Sequence, residues 1–163
     1  MQQPEFPLGD SRHPSGKPKS YEIRVQLLNE TPDARKIVVP EDAVDYWRDT
    51  ITKAPWYFPD REMAIALVLN TRYRILGHSL VSIGTLNESL VHPRETFRAA
   101  IAMNAYAIVF MHNPPSGDHQ PSEADQRMTK RLSEAGQLLQ IRMIDHVIIG
   151  DPGHYSFRES GLI

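Results

Sequence analysis

The run His112-Asn113-Pro114-Pro115-Ser116-Gly117-Asp118, followed by Pro121-Ser122-Glu123-Ala124-Asp125, carries the chemistry this chain can offer. A histidine ends a run of apolar residues, a Pro/Gly-rich turn follows, and a serine and an aspartate open a helix. That is the layout of a metal site. A catalytic zinc ion takes three protein ligands, imidazole or carboxylate, and leaves its fourth position to water. The ion lowers the pKa of that water towards about 7, so a nucleophile becomes available at neutral pH. A carboxylate must then move the proton and a hydrogen-bond donor must steady the oxyanion. His112 and Asp125 are the candidate ligands, and Ser122 is the donor beside them.

The same residues have a plainer account. Ser122-x-x-Asp125 is a capping-box variant, which a helix uses at its first turn with no ligand present. Gly117 and Asp118 are ordinary turn residues. His112 can simply end a strand with its ring hydrogen-bonded. Spacing alone leaves both accounts open.

The elements that must position these residues are legible as pattern. Ile23, Val25 and Leu27 alternate with Glu22, Arg24 and Gln26, the period of a half-buried strand. Lys36 to Val39 reads as a second strand. Pro40, Glu41 and Asp42 start a helix, with proline in its first turn and acids at the positive end of its dipole. Val44, Trp47 and Ile51 fall on one face of it. Met63 to Leu69 is wholly apolar, as expected of a central strand covered on both faces. Asn70 to Tyr73 turns the chain into a partner strand, Arg74 to Ser82. Pro93-Arg94-Glu95 opens a second helix, and Ala105 to Met111 is a buried strand ending at His112. A third helix is expected from Ser122 to about Ala135, with Gly136 ending it in the left-handed conformation. Ile141 to Ile149 forms a further strand, and the tail after Gly150 adds a short one. The order predicts an α/β sandwich around a mixed sheet, antiparallel at least in the Met63–Ser82 hairpin.

Composition bounds the rest. The chain has 163 residues, 40% hydrophobic and 23% charged, which fits one soluble domain. A domain of this size buries roughly 70% of the surface its unfolded chain exposes and needs no staples. Residues 1–19 hold four prolines and two glycines among polar residues and read as a flexible arm, with residues 20–163 forming the single domain. The net charge of −2 supplies no basic footprint for nucleic acid. The absence of cysteine excludes disulfides, thiolate zinc sites and cysteine nucleophiles. The first residues carry no apolar signal region, and no apolar run approaches the ~20 residues that cross a bilayer. A cytoplasmic location is expected.

The pattern His112-Asn113-x-Pro115-Ser116-Gly117-Asp118-x-x-Pro121-Ser122-x-x-Asp125 resembles the signature of the RadC-like branch of the JAMM (MPN/JAB) metallopeptidases. Asp60-Arg61-Glu62, Gly84-Thr85-Leu86-Asn87, Val91-His92-Pro93-Arg94-Glu95, Asn104-Ala105 and Ile144-Asp145-His146-Val147-Ile148-Ile149-Gly150 extend the resemblance over residues 60–150. It implies a JAB/MPN (cytidine deaminase-like) three-layer sandwich and a zinc-dependent hydrolase acting on a peptide or isopeptide bond. Residue by residue, Glu62 matches the general base, His112 and Asp125 match metal ligands, and Ser122 matches the oxyanion-supporting serine. Asp145 and His146 match a pair outside the ligand set, for which a structural hydrogen bond is expected. The family also has a link to DNA repair and mobile elements.

One position departs from the pattern. A second ligand histidine is expected at 114, and the residue there is Pro114, which has no lone pair to offer a metal. His119 in the same turn is a candidate substitute. His13, His78, His92 and His154 are read as surface or structural. Two functions therefore stand: a zinc hydrolase with an impaired metal site, or an inactive relative that serves as a binding or scaffolding module.

Overall fold

The computed structural model describes residues 35–84 and 91–163. The expected arm at 1–19, the strand at 21–27 and the Thr85–Asn87 stretch lie outside the described residues.

The elements in chain order are α1 (Pro40–Asp49), a 3-10 turn (Ile51–Lys53), β1 (Met63–Leu69), β2 (Ile75–Ile83), α2 (Pro93–Ala102), β3 (Ala107–Asn113), α3 (Glu123–Leu139), β4 (Arg142–Ile149) and β5 (His154–Ser156). The five strands form one mixed sheet in the order β2-β1-β3-β4-β5. β1 pairs antiparallel with both β2 and β3, β3 runs parallel to β4, and β5 returns antiparallel on β4. A parallel pair needs a crossover, and α3 supplies it.

Apolar side chains of alternating strand positions face opposite ways, so the sheet has two cores. On one face Met63, Ile65, Leu67, Val109, Met111 and Val147 pack under Val44 and Trp47 of α1 and Ile51 of the 3-10 turn. On the other, Ala64, Val68, Ile108, Phe110 and Met143 pack against Phe97 and Ala100 of α2 and Met128 and Leu132 of α3. The architecture is the expected α/β sandwich, a mixed sheet with helices on both faces. Every residue of β1 and of β3 is buried, as a central strand requires. Among the described residues no helix is long and apolar enough to cross a membrane.

Two expectations need correction. Lys36 to Val39 is not a strand: only a single bridge, Lys36 to Arg74, forms there. The Asp42 carboxylate takes the N–H groups of Val38 and Val39 at 2.7 and 3.0 Å, which starts α1 and removes the donors a strand would use. Gly136 likewise does not end α3. The helix continues to Leu139 and is closed by Gln140 in the left-handed region, φ 56°.

Gly136 is required for a different reason. A Cβ there would lie 2.6 Å from the Ile141 carbonyl oxygen and 3.1 Å from the Phe97 ring. The missing side chain lets α3 close against α2 and against the chain that enters β4. Helix propensity alone makes Gly136→Ala stabilising by about 1 kcal/mol. The backbone clash is larger, since overpacking costs about 1–3 kcal/mol. Gly136→Ala is therefore expected to lower the urea midpoint at unchanged slope; a raised midpoint would contradict this close approach.

Candidate metal centre

The antiparallel register of β1 and β3 sets the site. Ala64 pairs with His112 and Met63 with Asn113. Alternation places Glu62, Ala64, Phe110 and His112 on the sheet face that carries α2 and α3. Glu62 is half-buried just before β1, and His112 is buried one residue before the end of β3. The backbone around Glu62 is clamped on both sides. Asn113 accepts the Met63 N–H at 3.0 Å and donates through Nδ2 to the Arg61 carbonyl at 3.1 Å. The Glu62 carbonyl accepts the Gly84 N–H at 2.8 Å.

Asp125 arrives from the start of α3. Ser122 is the N-cap, with extended backbone angles of φ −77° and ψ 166°. Its hydroxyl accepts the Asp125 N–H at 3.1 Å, and Asp125 Oδ2 accepts the Ser122 N–H at 2.8 Å. The Ser122 hydroxyl also donates to Oδ2 at 2.6 Å. The expected capping box is present. Its effect is to spend Oδ2 on two donors and to leave Oδ1 turned towards His112, 3.4 Å from Nε2. That separation exceeds a hydrogen bond, whose N–H···O distances run to about 3.2 Å. The predicted ligand pair thus converges. The Ser122 hydroxyl has its one proton on Asp125, so a role at an oxyanion requires that bond to open.

Behind His112 stands His146. His112 Nδ1 and His146 Nε2 are 2.9 Å apart, and His146 Nδ1 lies 2.6 Å from the Thr129 hydroxyl. The Thr129 hydroxyl donates to the Asp125 carbonyl at 2.6 Å, one helical turn back. His146 stacks on Phe157 with ring centres 4.5 Å apart and planes 2° from parallel, and meets the Phe110 ring edge-on at 5.0 Å.

A bulge in β4 puts His146 on this face. Ile108 pairs with Met143 but Val109 pairs with Asp145, so one extra residue enters at Ile144. Without it the two-residue period would turn His146 towards α1. Asp145, on the opposite face, accepts the Ser156 hydroxyl at 2.7 Å and the Arg158 N–H at 3.0 Å. Those bonds hold the tail that carries Phe157 onto His146. The structural hydrogen bonding expected of Asp145 and His146 is present in both residues.

Electrostatics follow from burial. Desolvation pulls the His112 imidazole down to about 4 against the opposing pull of the Asp125 carboxylate. Burial, with the neighbouring His112 charge, holds His146 well below the ordinary histidine value. Both rings are neutral at neutral pH, the form in which imidazole binds metals.

The other histidines stand elsewhere. His119 packs on the turn between β4 and β5, where a Cβ on Gly150 would meet its Nδ1 at 2.9 Å and one on Gly153 its Cε1 at 3.2 Å. His78 bonds the Tyr46 hydroxyl at 2.8 Å, His92 meets Arg131, and His154 lies 3.8 Å from Glu41. His13 lies outside the described residues. Among the described residues no group of three or more His, Asp or Glu side chains is placed to hold one metal ion.

Comparison with known proteins agrees with this fold. The sequence profile of the RadC-like JAB domain matches residues 37–162. The chain belongs to the RadC-like JAB family. A UPF0758 protein of Chlorobaculum parvum is 46% identical over 131 residues, covering 79% of this chain and 56% of that protein. One of Chlorobium chlorochromatii is 41% identical over 145 residues, 88% of this chain and 62% of the relative. One of Desulforamulus reducens is 50% identical over 104 residues, 64% and 46% of the two chains. This RadC-like chain spans about half the length of the curated relatives it matches.

Reading the sequence for ligands missed two side chains around the candidate site of this RadC-like chain. Asn113 clamps the strand entrance at Glu62, and Thr129 anchors His146. Thr129 sits four residues after Asp125, so its placement on the same helix face was available from spacing.

The neutral state of His112 has a consequence for stability. Its folded pKa, about 4, lies below the unfolded value of 6.5, so the unfolded chain binds the proton first as pH falls. The stability is fully present above about pH 6.5 and is lost on the way down to about pH 4, by about 3 kcal/mol from this ring. Urea midpoints of chelator-treated protein are expected to fall between pH 7 and pH 5. A flat profile over that interval would contradict a neutral buried pair.

Proposed function

We propose that this chain is a zinc-dependent hydrolase of the JAMM type, acting on a peptide or isopeptide bond through a metal site reduced to two protein donors. The observation that carries the reading is the approach of His112 Nε2 to Asp125 Oδ1, 3.4 Å apart on the face shared with Glu62. The donors fit a zinc ion in kind, an imidazole nitrogen and a carboxylate oxygen, but not in number. His112 and Asp125 would hold the ion, which when bound supplies Lewis acidity and lowers the pKa of water.

The chain's own groups define what else the site does. Glu62 carries the proton between attacking water and leaving group, with its backbone fixed by Asn113 and Gly84. Ser122 orients Asp125 through Oδ2 and has a hydroxyl at the mouth of the site. His112 stays neutral because it is buried.

Pro114 favours a second reading. It follows β3 directly, and alternation puts it on the His112 side of the sheet, next in line towards Glu62. A histidine there would complete the donor set. Without it the chain suits a role as a binding or scaffolding module of the same fold. Loss of an outer-shell group lowers metal affinity about 10–100-fold, and loss of a direct ligand lowers it at least as much. The family's link to DNA repair and mobile elements gives that module a setting, although a net charge of −2 offers little to a phosphate backbone.

Zinc content and turnover of the parent, taken together, separate the two. After loading with zinc and desalting, the parent is expected to retain clearly less than stoichiometric metal by inductively coupled plasma mass spectrometry. Pro114→His is expected to bind zinc at least about 10–100-fold more tightly and to gain peptidase or isopeptidase turnover. A gain of metal in the variant with no turnover in the parent selects the module. A variant that binds zinc no better than the parent would overturn the metal reading.

A further inference from the structure

We infer that His146 and Thr129 are positioning residues that fix His112 in its Nδ1–H tautomer, so that the Nε2 lone pair faces Asp125. The inference rests on the metal reading for its purpose, and on hydrogen-bond directions alone for its substance.

A threonine hydroxyl has one proton. Here it is given to the Asp125 carbonyl at 2.6 Å, an acceptor that has no proton to return. The hydroxyl oxygen therefore meets His146 Nδ1 at 2.6 Å as an acceptor, and Nδ1 must carry the hydrogen. A neutral imidazole has one N–H, so His146 Nε2 is bare and accepts. The group it accepts from, 2.9 Å away, is His112 Nδ1. That hydrogen is the only one the neutral His112 ring has. Nε2 is left as a lone pair opposite a carboxylate oxygen at 3.4 Å.

The reverse direction can be weighed against this one. It sends the Thr129 proton to His146 Nδ1, the His146 Nε2 proton to His112 Nδ1, and a His112 Nε2 proton to Asp125 Oδ1. Its last link is 3.4 Å, outside the range of about 2.7–3.2 Å for N–H···O bonds. In the forward direction each link is 2.9 Å or shorter. Forward, the chain satisfies every buried donor and ends in two electron-rich atoms that face each other. A cation between them would match such an end.

The supports of His146 are consistent with a fixed ring. Phe157 stacks flat on it, Phe110 meets its face edge-on, and the β4 bulge turns it to this side of the sheet. Rotation of the ring about its axis would exchange Nδ1 with carbon and break both bonds at once.

Long-range proton–nitrogen NMR of the full chain, histidine-labelled with nitrogen-15 and treated with chelator, reads the tautomers directly at neutral pH. His112 and His146 are both expected as Nδ1–H with Nε2 bare. Thr129→Val removes the acceptor at nearly constant volume and is expected to move both rings towards Nε2–H. Thr129→Ser keeps the hydroxyl and is expected to restore the parent pattern. Thr129→Val is also expected to weaken zinc binding about 10–100-fold. An Nε2–H signal for His112 in the parent, or an unchanged pattern in Thr129→Val, would overturn the inference; if the valine variant does not fold, the parent spectrum still decides. Failure to bind zinc with the Nδ1–H pattern intact would remove the metal reading and leave this one standing. Zinc binding by a parent whose His112 is Nε2–H would do the opposite.

Discussion

One buried contact, His112 Nδ1 to His146 Nε2 at 2.9 Å, ties β3 to β4 and, through the Thr129 bond to the same His146 ring, to α3. His112 lies one residue before the end of β3, His146 sits in the parallel neighbour β4, and Thr129 brings in α3. Each ring is buried and neutral, and each would be an unsatisfied polar group without the other. Partners lost from buried polar groups are costly, so the contact fixes the register of β4 as well as the rotation of His112. The bulge at Ile144 serves the same end. It interrupts an otherwise regular ladder to set a polar ring where an apolar one would pack.

Asp125 is brought to this pair by local chemistry. The capping box at Ser122 uses one carboxylate oxygen for the helix start and leaves the other for the imidazole. The two accounts of Ser122-x-x-Asp125 offered by its spacing are therefore not rivals. The cap orients the candidate ligand.

Much of the framework was legible because it rests on period and punctuation. The apolar runs of β1 and β3, the Pro-acid start of α1 and the Asn70 turn are short-range signals, and each is where the pattern put it. Where reading failed, the cause was tertiary at Gly136 and a local helix cap at Val38 and Val39. Gly136 looks like a helix stop, but the atoms that require it are the Ile141 carbonyl and the Phe97 ring, neither visible from its neighbours. Val38 and Val39 look like strand residues until Asp42 takes their N–H groups. Within the site, His112 and Asp125 were candidate ligands from residue type and spacing, whereas Glu62 came from motif resemblance. The register of β1 on β3 puts Glu62 and His112 on one face, and the cap of α3 turns Asp125 towards His112. Asn113 and Thr129 were passed over because their work is done through bonds to other groups. His119 was named as a substitute ligand although nothing in the spacing required it, and it packs against Gly150 and Gly153 instead.

The central claim is that His112 Nε2 and Asp125 Oδ1 address one point in space. Anomalous X-ray scattering at the zinc edge, from crystals soaked in zinc, tests it most directly. The account predicts a peak between those two atoms, of partial height in the parent because the Pro114 position gives no third donor. No peak there, or one seated on His119 or another surface histidine, would contradict it.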